Sequence, residues 1–259
     1  MKCFPDSGFI MERVTMKKFI LIFYGIFGCV AMIFASFLLF VTDRYRADDM
    51  LIADLTAGDT AVSQSSEAEG VTVFSPQEGS DWGFIFYPGA MVESNAYSPL
   101  LTKMADRGVK CFNVEMPCYL AFLGQNKADS IISAHPEIKH WYIGGHSLGG
   151  YCAAEYAFAN HDKLEGVVLL AAYTEKDLSS CGLKAVSVYG SCDKVLSADA
   201  YRQYRSLLPE DTSELVIEGG CHSYFGAYGL QKGDGEAEIT LNEQLTDTAD
   251  FVCGKIKER

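Results

Sequence analysis

The chain has 259 residues, 49% hydrophobic, 21% charged and 12% aromatic, with a formal net charge of −13. This composition excludes a disordered chain, a collagen-like chain and a small disulfide scaffold. So acidic a protein repels phosphate backbones, which argues against nucleic-acid binding, and repels anionic lipid headgroups unless a tether overrides the charge.

Such a tether is predicted near the start. Residues 1–18 hold four basic and two acidic side chains. They read as a cytoplasmic segment, and Met16-Lys17-Lys18 resembles a natural start, so residues 1–15 are expected to be an upstream extension. Residues 19–41 (FILIFYGIFGCVAMIFASFLLFV) then run without a charge. As a helix they would reach roughly 34 Å, enough to cross a bilayer core. The basic residues before the run, against Arg44 and Arg46 mixed with acids after it, predict the start inside and the remainder on the extracytoplasmic side. The alternative is a cleaved signal peptide and a secreted domain. A signal core spans about 7–15 residues and ends at small residues, whereas this run is longer and has no such site. Residues 42–60 are polar and mixed, a stalk or short helix. About 200 residues follow, enough for one well-buried domain over 61–259.

Ser63 to Gly70 is small and acidic and reads as a turn between weak strands. From Gly83 on, short apolar runs alternate with helical patterns. The predicted strands are 83–87, 109–115, 141–145, 166–173, 185–190 and 214–219, and the helices lie near 96–106, 125–134, 148–160, 197–208 and 240–257. Near-continuous apolar strands imply burial on both faces, hence a doubly wound, mostly parallel α/β sheet with chemistry at the carboxyl ends of its strands. Seven of the nine cysteines follow the apolar run, scattered and without a CxxC pair, which does not suit zinc. Most are expected to be small core residues. No metal or organic cofactor is implied.

The strand WYIGG leads into Gly145-His146-Ser147-Leu148-Gly149-Gly150 and then a helical pattern. This is G-x-S-x-G between a strand and a helix. The glycines Gly145 and Gly149 are needed because the serine sits on a sharp turn that a neighbouring Cβ would crowd. By itself the motif matches many glycine-rich strand–helix connections. Its weight comes from two later residues. Asp193 follows the strand AVSVYG and His222 follows ELVIEG, so all three lie at carboxyl strand ends, in the order Ser…Asp…His. Ser147 reads as nucleophile, His222 as base and Asp193 as the acid that orients it. The oxyanion donors are expected to be the Leu148 amide and the Ala90 amide, with Gly89 allowing close approach. His146 points away from Ser147 by turn geometry and reads as structural.

The segments FYPGAMVE (86–93), HPEIKHWYIGGHSLGG (135–150), VVLLAAY (167–173), VYGSCDKV (188–195) and VIEGGCHSYFGAYG (216–229) resemble the alpha/beta hydrolase family five group, compact relatives of dienelactone hydrolases and esterases. The resemblance covers roughly residues 70–256. It implies an alpha/beta hydrolase fold with nucleophile Ser147, acid Asp193 and base His222. The group commonly carries a second glycine where this chain has Ala90.

The expected activity is therefore two-step acyl transfer on a small-molecule ester or thioester through an acyl-enzyme. Too few residues separate the strand ending at Tyr173 from the next to hold a lid, so an uncapped site is predicted. Its walls are expected to be loops 88–96, 116–124, 174–181 and 223–236. Met91, Tyr119, Tyr224 and Phe225 would line it, or equally would pack in the core. Cys192 and Cys221 each directly precede one of the three residues; if their strands are neighbours the two lie within disulfide reach, and an oxidising exterior would permit a bridge. Two other functions remain open: an acyltransferase on the same three residues, and a catalytically inactive surface protein that uses the fold for binding.

Overall fold

A computed structural model describes residues 23–24, 26–33, 35–37, 39, 41–58, 62–67 and 70–258. The chain divides into two units, Met1–Asp43 and Arg44–Arg259. In the first, the described residues from 23 to 42 are helical, and Phe23, Ile26, Phe27, Ile33 and Leu39 are exposed. The segment 1–18, expected to be cytoplasmic, lies outside the described residues, and so do residues 19–22, 25, 34, 38 and 40 of the expected anchor. Among the described residues no helix is long and apolar enough to cross a membrane.

The second unit is built on one eight-stranded sheet, β1 Val62–Glu67, β2 Val71–Pro76, β3 Trp82–Tyr87, β4 Lys110–Val114, β5 His140–His146, β6 Gly166–Leu170, β7 Lys184–Gly190 and β8 Thr212–Ile217, in the order β1-β2-β4-β3-β5-β6-β7-β8. From β4 to β8 every pairing is parallel. The first two strands differ: β1 pairs antiparallel with β2, and β2 antiparallel with β4. The stretch read as a turn from Ser63 is thus largely the edge strand β1. Its sequence VSQSSE is almost wholly exposed, so it carries none of the apolar alternation that marks a half-buried strand. Polar, charged edge strands of this kind also discourage pairing with another chain.

Side-chain alternation explains the two layers. Along β3, Phe84 and Phe86 face one side and Ile85 and Tyr87 the other, as the two-residue strand repeat requires. On the first side they meet α2 (Ser98–Asp106) and the long C-terminal α6 (Leu241–Lys257), with Leu100, Leu101, Leu245 and Val252 buried. On the other they meet α3 (Lys127–Ala134) and α4 (Leu148–Ala159), with Ile131, Ala153 and Tyr156 buried. A capping box fixes where α6 begins: Thr240 accepts from Glu243 N–H, and Glu243 accepts from the Thr240 N–H. Of residues 42–60, read as stalk or short helix, the described part from Arg44 to Gly58 contains the short helix α1 (Asp49–Leu55) and is tied to the domain, with Asp48 N–H donating to Ala227 O at 2.9 Å.

Between β6 and β7, residues 171–183 form only turns and bends. β6 ends at Leu170, short of Tyr173, because Ala171 has a positive φ of 47° that turns the chain out of the sheet. The remaining short helix α5 (Ala198–Tyr204) packs beside β7 through Tyr201, whose ring lies 4.8 Å from that of Tyr189.

Candidate active site

Ser147 directly follows β5 and directly precedes α4, with φ 53° and ψ −123°. A non-glycine residue reaches that region only under strain, and strained serines of this kind concentrate at functional turns. The glycines around it are required by space. A Cβ on Gly149 would overlap the carbonyl oxygens of Tyr87 and Pro88, and one on Gly145 would overlap the Tyr87 carbonyl oxygen. Ser147 occupies the N-cap of α4, yet its side chain makes no capping bond. A serine in that position ordinarily accepts from a helix amide; here the hydroxyl is left for something else.

Asp193 and His222 are brought together. His222 Nδ1 donates to Asp193 Oδ2 at 2.8 Å, and both side chains are buried, 1% and 2% exposed. The other Asp193 oxygen accepts from the Val195 and Leu196 amides, each at 2.8 Å. This local turn holds the carboxylate through bonds that do not involve the histidine. With Nδ1 committed, His222 Nε2 is buried and has no hydrogen-bond partner among the described residues. The loop carrying His222 is held in turn by Asp234, which accepts from the His222 and Ser223 amides at 3.2 and 2.7 Å and from Ser223 Oγ at 2.6 Å.

Ser147 and His222 share the wall of one cleft of about 440 Å3. The cleft is bordered by Leu148, Tyr151, Ala171, Ala172, Tyr173, Glu175 and the run Val195-Leu196-Ser197. Of the walls predicted from sequence, only the 174–181 loop contributes, through Glu175. Met91, Tyr119, Tyr224 and Phe225 do not border the cleft. Phe225 is fully buried against His146, ring centroids 5.4 Å apart. Tyr119 lies under the Arg44 guanidinium, 4.9 Å from the ring centre, and its carbonyl accepts from the Met91 amide.

What sequence reasoning missed was the side of the turn on which the cleft opens. One signal was available for Tyr151. It lies four residues after Ser147, with its N–H donating to the Ser147 carbonyl at 3.1 Å. That spacing puts it on the same helix face. Val195 and Leu196 could have been inferred from the tight turn that Asp193 nucleates.

The two expected oxyanion amides are placed differently. The Leu148 N–H sits at the first position of α4, where it has no intrahelical acceptor. The Ala90 N–H makes no hydrogen bond with the described residues. The Gly89 N–H is already engaged, donating to Tyr97 Oη at 3.1 Å. Gly89 therefore serves through its lack of a side chain: a Cβ there would stand 2.8 Å from His146 Nδ1 and 2.9 Å from Tyr97 Oη. His146 is fully buried, and that burial holds its pKa well below the usual histidine range, keeping it neutral.

The anticipated bridge between Cys192 and Cys221 is absent, and both are free thiols. Their loops do adjoin, with Cys192 N–H donating to Gly220 O at 2.8 Å. The Cys221 side chain, however, turns inward beside Asp234 and the Ser223 and Tyr224 backbone, where burial pushes its pKa up to about 12. Among the described residues no cluster of three or more His, Cys, Asp or Glu could hold a metal ion.

Against known proteins, a family model described as the alpha/beta hydrolase family matches residues 83–246. Among solved structures the chain is similar to a predicted CIB-like hydrolase from Thermoplasma acidophilum, with TM-score 0.56, 15% identity, and 75% of this chain and 99% of that one covered. It is also similar to Est1E from Butyrivibrio proteoclasticus, with TM-score 0.56, 11% identity, and 77% and 100% covered. A third is TT1662 from Thermus thermophilus, with TM-score 0.56, 14% identity, and 76% and 99% covered. At these identities the likeness is one of fold. No curated protein sequence matches this chain.

Proposed function

Because the chain belongs to the alpha/beta hydrolase family, we propose that it is a membrane-anchored serine hydrolase that cleaves an ester or thioester through an acyl-enzyme. The observation that carries this reading is the unsatisfied Nε2 of His222, buried on the wall of the cleft that Ser147 also lines, with Nδ1 held by Asp193. A buried nitrogen normally finds a partner. One left open in a cleft beside an uncapped serine hydroxyl is suited to take that hydroxyl's proton.

In this mechanism His222 Nε2 accepts the proton of Ser147 as Oγ attacks the substrate carbonyl carbon. Asp193 keeps the proton on Nδ1 and stabilises the imidazolium that forms. The Leu148 and Ala90 amides donate to the developing oxyanion; one such donor is typically worth about 3–4 kcal/mol. His222 then protonates the leaving alcohol or thiol. Water, deprotonated by the same nitrogen, attacks the acyl-enzyme and releases the acid. Est1E, one of the structures of similar fold, has been solved with ferulic acid bound, which is compatible with a cleft for acyl compounds on this scaffold.

Labelling with a fluorophosphonate probe tests the reading. The wild type is expected to be labelled and Ser147→Ala not at all. Equal labelling of both would move the nucleophile elsewhere, and no labelling of either would favour the binding-protein alternative.

The anchor is supported by the uncharged run 19–41 and by the outward-facing apolar side chains along its described part. The catalytic domain would then lie on the extracytoplasmic side. Alkaline extraction of membranes should leave the full chain in the pellet and release a variant lacking residues 1–43; release of both would remove the anchor.

A further inference from the structure

The cleft beside Ser147 carries one charged side chain on its wall, Glu175. No cation balances it: among the described residues no lysine, arginine or histidine pairs with Glu175. The nearest lysine in sequence, Lys176, is turned to Glu155 at 3.4 Å and lies over the Phe158 ring. Glu175 is solvent-exposed, with phenols on its cleft side. Tyr151 Oη donates to Glu175 Oε2 at 3.4 Å. The Glu175 charge is also the main cause of the raised pKa of Tyr204. Burial, then the Glu155 and Glu175 charges, push the Tyr151 pKa up to about 12, so this phenol stays protonated and donating.

The three rings form one aromatic surface. Tyr173 stacks on Tyr204 with centroids 5.5 Å apart and an interplanar angle of 16°, and Tyr151 meets Tyr173 edge-on at 6.3 Å. An exposed carboxylate without a counter-ion, bordered by tyrosine rings, attracts organic cations through its charge, which solvent screens, and through the ring quadrupole. It repels anions for the same reason, and the net charge of −13 acts in the same direction at longer range.

We propose that this cleft selects esters or thioesters bearing an ammonium group, held between the Glu175 carboxylate and the Tyr151 and Tyr173 rings while the carbonyl lies at Ser147. The inference rests on the hydrolase reading given above. Glu175 is then a specificity-determining residue that takes no part in the bond-making steps.

The test compares isosteric substrates. One pair places the charge on the alcohol side, a choline ester against its neutral 3,3-dimethylbutyl counterpart. The second places it on the acyl side, an aryl 4-aminobutyrate against an aryl pentanoate. In wild type, kcat/KM for the cationic member of at least one pair should exceed that of its neutral partner by about fivefold to tenfold. The ratio should shrink as salt is raised. In Glu175→Gln it should fall toward one, and in Glu175→Lys it should invert. Ratios near one in wild type for both pairs, or ratios unchanged in Glu175→Gln, would overturn the proposal.

Calorimetric titration with benzyltrimethylammonium supplies a readout independent of turnover. Binding should be present in wild type and lost in Glu175→Gln; its absence, or its persistence in the variant, would also overturn the proposal. A chain that hydrolyses no ester and takes no fluorophosphonate fails as a hydrolase, whereas a chain that is labelled but shows no charge preference fails only here.

Discussion

The Tyr97 hydroxyl lies 2.9 Å from His146 Nδ1, with both residues buried. The same oxygen accepts the Gly89 N–H, so its one proton is available to Nδ1. A phenol in α2's approach thereby ties the loop before Ala90 to the strand end before Ser147. Tyr97→Phe leaves a backbone donor and a ring acceptor buried without partners. We expect a stability loss of about 1–3 kcal/mol in chemical denaturation. We also expect kcat to fall roughly tenfold with KM little changed, because the Ala90 amide drifts from its alignment with the oxyanion. A loss confined to stability would separate Tyr97 from catalysis.

Asp193→Asn keeps the size of the side chain but replaces the acceptor that fixes the His222 tautomer. The expected loss in kcat on a chromogenic ester is about 10^3- to 10^4-fold. A variant within tenfold of wild type would show that His222 does not depend on this carboxylate.

Asp234 is one of the carboxylates that tie stability to pH on the acid side. Burial raises its pKa, but the bonds from Ser223, Gly235 and His222 outweigh this, so the net shift is downward. A carboxyl whose folded pKa lies below its unfolded value contributes stability above the unfolded pKa, near 4, and loses it as pH falls through the folded value. Asp234→Ala should therefore be less stable than wild type by about 2–3 kcal/mol at pH 7. The gap should narrow below about pH 4. Denaturation curves between pH 3 and 7 measure both, and a gap that is constant with pH would contradict the assignment.

Gly149→Ala tests the packing of the elbow. The added methyl would meet the Tyr87 and Pro88 carbonyls, which are backbone and have no rotamer in which to yield. We expect a loss of roughly 3 kcal/mol or more, measured by the denaturation midpoint or, if severe, by loss of soluble protein.

The strand ends holding Ser147, Asp193 and His222 were legible because they depend on chain order and on apolar runs, both written locally. The edge strand β1 was not, since its serines and glutamate face solvent and leave no hydrophobic period. Nor was most of the lining of the cleft. Whether Tyr224 and Phe225 border Ser147 depends on how the loop after β8 folds back, and Asp234 holds that loop from several residues away. The cysteine pair shows the same limit: neighbouring strands brought the Cys192 and Cys221 backbones together, while the Cys221 sulfur lies inward beside Asp234.

Residues 171–183 contain only turns and bends, so no subdomain folds down over Ser147 from that connection. Product departure would not wait on a cover supplied by that connection. Discrimination among substrates would then rest on the side chains that line the cleft, and a carbonyl carried on a bulky molecule would meet no subdomain from that connection on its way to Ser147.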